Sequence, residues 1–352
     1  MSCFHPRIGY LHTINYIEGR KKMFFLPSFS LDRTENMYDP YTGDFMGPIL
    51  VPCGKCEGCR IDQSREWAAR IVMEMQYHKD SAYFVTLTYS SDEKLWPENF
   101  RNHNGTLVYP DSEPLRNDLI PGNPIVLRKS HLQDFYKRLR KRFPGENLRY
   151  FSCGEYGSIG FRPHFHICMM GIKFSDLYPF GRSKTNEQLY RSPILEKLWP
   201  FGLIAIAPLN FSTAAYTARY CQKKAHGKDK QFYEDLGLTP EFTNMSVRPG
   251  LATQFFEDHK YDIFSSDGQI ILPASSQKKA NIVGIPRFFK KKAKDDPTLA
   301  PDLLRIRELG CRSAVDKIYQ KIKMSDFNES IYFDVQEKII SDRYKTLLRA
   351  LE

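Results

Sequence analysis

The chain has 352 residues, enough for one large domain or two ordinary ones, and 41% hydrophobic with 14% aromatic content excludes a disordered or fibrous class. Fifty-one Lys and Arg against 41 Asp and Glu give a formal charge of +10, which favours polyanionic partners, nucleic acid foremost. The opening MSCFHPRIGYLHTINY lacks the unbroken apolar run of a signal peptide. No later segment has the length of a membrane-spanning helix, so a cytoplasmic protein with reduced cysteines and no membrane partner is expected.

In chain order, the first chemical signal is Cys53-Gly54-Lys55-Cys56-Glu57-Gly58-Cys59. Three thiols at this spacing can share one zinc ion, but a closed structural site needs four ligands. Cys3, or failing it His5, is the expected fourth. A loop of free cysteines and an iron–sulfur cluster are the competing readings. Residues 61–78 place Trp67, Ala68, Ile71, Val72 and Met75 at helical spacing, and 82–89 (AYFVTLTY) has the β-branched and aromatic content of a strand. The polar, proline-rich stretch 90–124 is long for a compact domain and is expected to be an insertion. A helix is expected over 129–143, with Arg140, Lys141 and Arg142 at its end complementing the helix dipole or contacting phosphate.

A strand is expected at 148–153, followed by Gly154-Glu155-Tyr156-Gly157 and then Arg162-Pro163-His164-Phe165-His166-Ile167-Cys168. Side chains alternate across a strand, so His164, His166 and Cys168 line one face while Phe165, Ile167 and Met169 can sit on a core. If the two strands pair, Glu155 comes near both imidazoles, and two imidazoles with a carboxylate can hold a divalent ion with open positions. Alternatively, Glu155 is a surface turn residue and the histidines belong to an ordinary half-buried strand. Further on, a helix is expected at 187–198, a short apolar strand at 202–208, and a helix from about 212. That last helix carries Tyr216 and Tyr220 one turn apart, with Arg219, Lys223 and Lys224 around them. Such a tyrosine pair is ordinarily packing, but neighbouring cations also stabilise a phenolate and a nearby phosphate. The segments 245–250 and 286–292 mix basic and aromatic residues as single-strand binding surfaces do, and 330–351 reads as a terminal helix. No internal repeat, P-loop or helicase motif is present.

The ordered set Cys-Phe-His-Pro, Pro-Cys-Gly-Lys-Cys-Glu-Gly-Cys-Arg, Phe-Val-Thr-Leu-Thr-Tyr, Gly-Glu-Tyr-Gly, Arg-Pro-His-Phe-His and Tyr-Thr-Ala-Arg-Tyr-Cys-Gln-Lys-Lys resembles the HUH endonuclease superfamily. Within it, the set resembles the rolling-circle replication initiators of Microviridae of the gokushovirus type, over roughly residues 1–290. The resemblance implies an α+β fold in which a central antiparallel sheet with flanking helices carries the histidines and the tyrosine helix packs across its face. It implies three segments: a Cys-rich 1–60, an endonuclease core 61–230 and a basic C-terminal region 231–352. His164 and His166, with Glu155, would hold Mg²⁺ or Mn²⁺; Tyr216 and Tyr220 would be nucleophiles; Lys223, or else Lys224, would sit beside the phosphotyrosine. The implied activity is nicking and rejoining of single-stranded origin DNA in the host bacterial cytoplasm, with strand separation and synthesis left to a host helicase and polymerase. The readings set against it are an HUH transposase or relaxase, and a non-catalytic zinc-containing DNA-binding protein.

Overall fold

The computed structural model describes all residues except 1–2, 16, 18, 28, 31–34, 91–125, 158–161, 184–185, 220–232, 234–237, 267, 273–280 and 352, with backbone alone for 344–351. The proline-rich stretch and the residues Tyr220, Lys223 and Lys224 therefore lie outside the described residues. The chain divides into two compact units, one of residues 1–63, 258–271 and 282–352, the other of 64–257 and 272–281.

The elements run β1 (Arg7–Asn15), β2 (Arg20–Phe25), β3 (Met37–Tyr38), β4 (Phe45–Gly47), β5 (Ile49–Val51), α1 (Glu57–Met75), β6 (Ala82–Tyr89), α2 (Lys129–Arg142), β7 (Arg149–Tyr156) and β8 (Pro163–Met170). They continue with β9 (Tyr178–Arg182), β10 (Gln188–Arg191), α3 (Pro193–Leu198), β11 (Gly202–Pro208), α4 (Phe211–Arg219) and β12 (Phe242–Met245). The chain closes with α5 (Thr253–Ser265), β13 (Gln269–Leu272), β14 (Asn281–Gly284), α6 (Arg287–Lys294), α7 (Ala300–Lys323) and α8 (Glu329–Leu351).

The second unit is α+β, as the sequence leads one to expect. Among the described residues, its sheet has the order β12-β7-β8-β6-β11-β10-β9, with every neighbouring pair antiparallel. The period of two along these strands divides the sheet into a dry face and a second face that carries the polar residues. Val85, Leu87 and Tyr89 of β6, Phe165, Ile167 and Met169 of β8, and Ile204 and Ile206 of β11 form the core with Leu132, Phe135, Tyr136 and Leu139 of α2 and with Trp199. His131 sits in this core, stacked on Phe201 at 4.0 Å; burial pushes its pKa down to about 4, so it stays neutral and bonds the Tyr89 hydroxyl at 3.0 Å. Gly171 closes β8 at φ +89°, where a Cβ would stand 2.1 Å from the Asn147 carbonyl oxygen, so only glycine fits.

The opposite face is held by a buried ion pair. Arg149 of β7 donates to Glu74 of α1 at 2.6 Å and to the Pro249 carbonyl at 2.8 Å, while Glu74 also accepts the Ala252 N–H at 2.5 Å. Burial disfavours the Glu74 carboxylate, but hydrogen bonds from His78, Arg149 and Ala252 outweigh it and hold the pKa below the usual value. Trp67 on the same helix packs on Phe151 at 5.1 Å.

One expected helix is corrected. Residues 187–198 divide into β10 and α3, because Pro193 disfavours helical backbone at Ser192 and the Ser192 hydroxyl accepts the Leu195 N–H as an N-cap. The first unit contains more regular structure than its sequence announces: a sheet of order β2-β1-β5, the β3–β4 pair and α7. Val315, Ile318 and Ile322 of α7 pack on Ile8 and Leu50.

Candidate functional site

Two antiparallel pairings build the site. β7 places Glu155 directly opposite His164, and Cys153 opposite His166, so Glu155 is the cross-strand partner of one histidine and the diagonal partner of the other. On the other side of β8, Thr86 lies opposite His166 and Thr88 opposite His164. The Glu155 Oε1 atom is 2.5 Å from His164 Nε2 and 3.0 Å from His166 Nε2, and Glu155 itself is buried. Burial opposes its charge, yet the hydrogen bonds from His164 and His166 prevail and hold its pKa at about 2, so it is ionised at neutral pH.

The outer nitrogens of both rings are engaged as well. His164 Nδ1 is 3.1 Å from the Arg162 carbonyl, which only accepts, so Nδ1 carries a proton; His166 Nδ1 is 3.0 Å from the Thr86 hydroxyl. In the neutral tautomer this directs the His164 Nε2 lone pair at the Glu155 carboxylate. Two acceptors at that separation repel unless a proton or a cation lies between them. The three donor atoms lie within 4.8 Å of one another. Two imidazole nitrogens and a carboxylate oxygen, with the outer nitrogens fixed, fit a divalent ion that keeps open coordination positions. In a metal-free molecule the alternative is an imidazolium held by Glu155.

The tyrosine helix arrives at the same face. Asn210 and Thr213 cap α4 reciprocally, each backbone N–H donating to the other's side-chain oxygen at 2.9 Å, which fixes where the helix begins. Thr217, one turn into the helix, is the 3.3 Å partner of the Cys168 thiol, two residues along β8 from His166. With that register, the Tyr216 ring stands edge-on to the His166 ring, centroids 5.1 Å apart at 81°, and 6.1 Å from Phe84 at 85°. Phe84 in turn stacks on His166 at 5.3 Å. The Arg219 guanidinium lies 5.8 Å from the Tyr216 ring centroid, and its buried Nη1 makes no hydrogen bond among the described residues. The expected second tyrosine, Tyr220, and the expected Lys223 fall outside the described residues.

Residues 82–225 match a family model for replication-associated proteins of the ORF2 type. The chain is 29% identical over 305 residues to replication-associated protein ORF2 of Spiroplasma virus 4, covering 86% of both chains. It is 29% identical over 246 residues to replication-associated protein VP4 of Bdellovibrio phage phiMH2K, 70% of this chain and 68% of the relative. It is also 28% identical over 220 residues to replication-associated protein ORF4 of Chlamydia phage 1, 60% of this chain and 46% of the relative. No solved structure matches the chain. The chain belongs with the Microviridae replication-associated proteins.

Within this replication-associated family, the matched segment begins at the first residue of β6 and contains Glu155, His164, His166, Tyr216 and Arg219. The cysteine cluster lies outside it. Cys3, Cys53, Cys56 and Cys59 come together, all four Sγ atoms within 4.8 Å of one another, so the N-terminal candidate that joins the C-x-x-C-x-x-C run is Cys3. His5 is 55% exposed at its side chain and pairs instead with Glu337 at 3.0 Å. Burial raises the Cys3 and Cys59 thiols, the latter to about 11. Burial also opposes ionisation of Cys53, but N–H groups of Cys56 and Lys55 bring it down to about 7. Thr86, the Arg162 carbonyl and the Thr217–Cys168 contact escaped the sequence reading; the only signal for Thr86 was its place in a strand beside the histidines. Among the described residues, no helix is long and apolar enough to cross a membrane.

Proposed function

We propose that this chain initiates rolling-circle DNA replication as a metal-dependent HUH endonuclease that nicks and rejoins single-stranded origin DNA through Tyr216. The observation that carries the reading is the edge-on approach of the Tyr216 ring to His166, a member of the Glu155–His164–His166 donor set. One scissile phosphate can then reach both groups.

Glu155, His164 and His166 would hold Mg²⁺ or Mn²⁺, which when bound polarises the non-bridging phosphate oxygens and orients the phosphate for in-line attack. The protein's own groups do the rest. A phenol with a pKa of about 10 is a weak nucleophile at neutral pH. Arg219, whose Nη1 donor is unmatched beside the ring, offers charge to the phenolate and the phosphate. Tyr216 Oη loses its proton and forms the bond to phosphorus, the bond from phosphorus to the 3′ oxygen breaks, and that oxygen takes up a proton. The products are a 5′-phosphotyrosine and a free 3′-OH that a polymerase can extend. The phosphoester bond is conserved in the link, so rejoining needs no nucleotide cofactor. Tyr220, the second tyrosine, is assigned to the later transfer and Lys223 to the neighbourhood of the linkage on the sequence resemblance. A host helicase and polymerase, in the bacterial cytoplasm, complete the reaction sequence.

The test uses end-labelled single-stranded oligonucleotides tiling the replicon that encodes the chain, with Mn²⁺ present. The expected result is a covalent adduct at one site that resists dithiothreitol, leaves an extendable 3′ end and is lost in Tyr216→Phe. Site-specific binding without any adduct would favour the non-catalytic reading; cleavage at a transposon-like end rather than an origin would favour a transposase.

A further inference from the structure

The nicking reading leaves the four thiols unused, and their geometry is that of a site. Cys53 Sγ is 3.9 Å from Cys59 Sγ, and Cys56 Sγ is 3.9 Å from Cys3 Sγ. A single ion about 2.3 Å from each of four thiolates separates them by about 3.8 Å, the edge of that tetrahedron. A disulfide would need about 2.05 Å, and all four cysteines are free. An iron–sulfur cluster inserts several iron atoms between its thiolates and spreads them further than one ion does.

Backbone donors converge on the sulfurs. The Phe4 N–H points to Cys56, the Cys53 N–H to Cys3, and the Lys55 and Cys56 N–H groups to Cys53, at 3.2–3.4 Å. Sulfur is a poor acceptor as a thiol and a good one as a thiolate, so four such bonds describe a site arranged for anionic ligands. Gly54 at φ +76° permits the turn between Cys53 and Cys56, and Cys59 lies in the first turn of α1, where the helix dipole also favours a thiolate. Phe4 is buried, and Ile340 of the C-terminal helix packs against the cluster. Nothing else among the described donors approaches the four thiols, so no coordination position is left open.

We infer that Cys3, Cys53, Cys56 and Cys59 bind one Zn²⁺ as a closed structural centre. It clamps the start of the chain to the start of α1 and provides the surface on which α8 rests, a docking reinforced by the 3.0 Å His5–Glu337 contact. Because metal binding to such a site is folding free energy, its removal loosens these three segments together.

The test is the metal content of the full-length protein, purified without a metal-affinity step and dialysed against a weak chelator. One zinc per chain is expected, falling below a tenth in Cys3→Ala, persisting in Cys3→His, which restores a fourth ligand, and unchanged in Cys311→Ala. Cobalt substitution should give the charge-transfer absorption of a tetrahedral thiolate site. Hydrogen exchange after a thiol reagent releases the zinc should speed up at least tenfold across residues 3–10 and 329–343 and stay unchanged in β7 and β8. Iron in place of zinc, full zinc in Cys3→Ala, or zinc release without faster exchange at α8 would each overturn the inference. If Cys3→Ala does not fold, zinc content in Cys3→His decides. None of these readouts depends on DNA cleavage, so the nicking proposal stands or falls separately.

Discussion

The two donor clusters of this protein are built in opposite ways. Glu155, His164 and His166 come from adjacent strands, one pair nine residues apart and in direct register, and they leave open positions at the edge of solvent, with the His164 side chain 17% exposed. Cys3, Cys53, Cys56 and Cys59 need a segment some fifty residues upstream, use four soft donors, and close over with Phe4 and Ile340. A site for chemistry must admit a substrate oxygen, so its ligand set stays incomplete; a site for structure is completed by the protein alone. Hard, borderline and soft donors then sort the metals, with exchangeable Mg²⁺ or Mn²⁺ at the first and tightly held Zn²⁺ at the second.

The largest effect should come from the open site. Tyr216→Phe is expected to lower adduct formation by about 10⁴-fold or more while the melting temperature stays within a few degrees of the parent, measured by gel assay and calorimetry on the same sample. Retained adduct in Tyr216→Phe, with Tyr220 intact, would shift the nucleophile to Tyr220.

Next comes the frame that holds the open site rigid. Glu74→Leu strands the Arg149 charge in a dry environment and should destabilise the sheet unit by about 3–5 kcal/mol, read by denaturant unfolding. The sign of the pH effect follows from the depressed pKa values of Glu74 and Glu155: their stabilisation is complete above the unfolded carboxyl value of about 4.3 and is lost as pH falls toward about 2. Glu74→Leu should flatten that acid limb. An unchanged limb would mean that other carboxylates control acid unfolding.

A smaller change separates the two clusters directly. Thr86→Val removes the partner of His166 Nδ1 and should weaken Mn²⁺ binding by about 10–100-fold, seen by titration calorimetry, with zinc content unaltered. Since ligand nitrogens must be unprotonated to bind, Mn²⁺ affinity should also fall as pH drops from 8 to 6, whereas the thiol site keeps its metal over that range. Smallest is Thr217→Val, which deletes the Cys168 contact under the tyrosine helix and should cost about 1 kcal/mol, with a modest loss of adduct rate as Tyr216 loses its fixed register.

Much of the open site is legible in the residues themselves. Period-two alternation assigns His164 and His166 to one face, the short Gly-Glu-Tyr-Gly link brings the preceding strand back with Glu155, and helical spacing puts Tyr216 on a defined face of α4. The same local logic gives β6, α2 and β11 nearly to the residue. It fails at 187–198, where a proline and a serine cap divide what periodicity reads as one helix. It fails again over the first unit, where short strands and the helix α7 carry little apolar patterning. Ile8, Leu50 and Val315 become a core only once the two ends of the chain meet.

Sequence alone determined the chemistry on offer: which side chains can bind a metal, which can attack a phosphate, and on which side of a strand or helix each lies, because those periods are properties of the backbone. Tertiary structure decided the partnerships. The choice of Cys3 over His5, the meeting of Tyr216 with His166, and the pairing of Arg149 with Glu74 join residues about 50 to 75 positions apart along the chain. Such contacts follow from how sheets and helices stack, which no local pattern encodes.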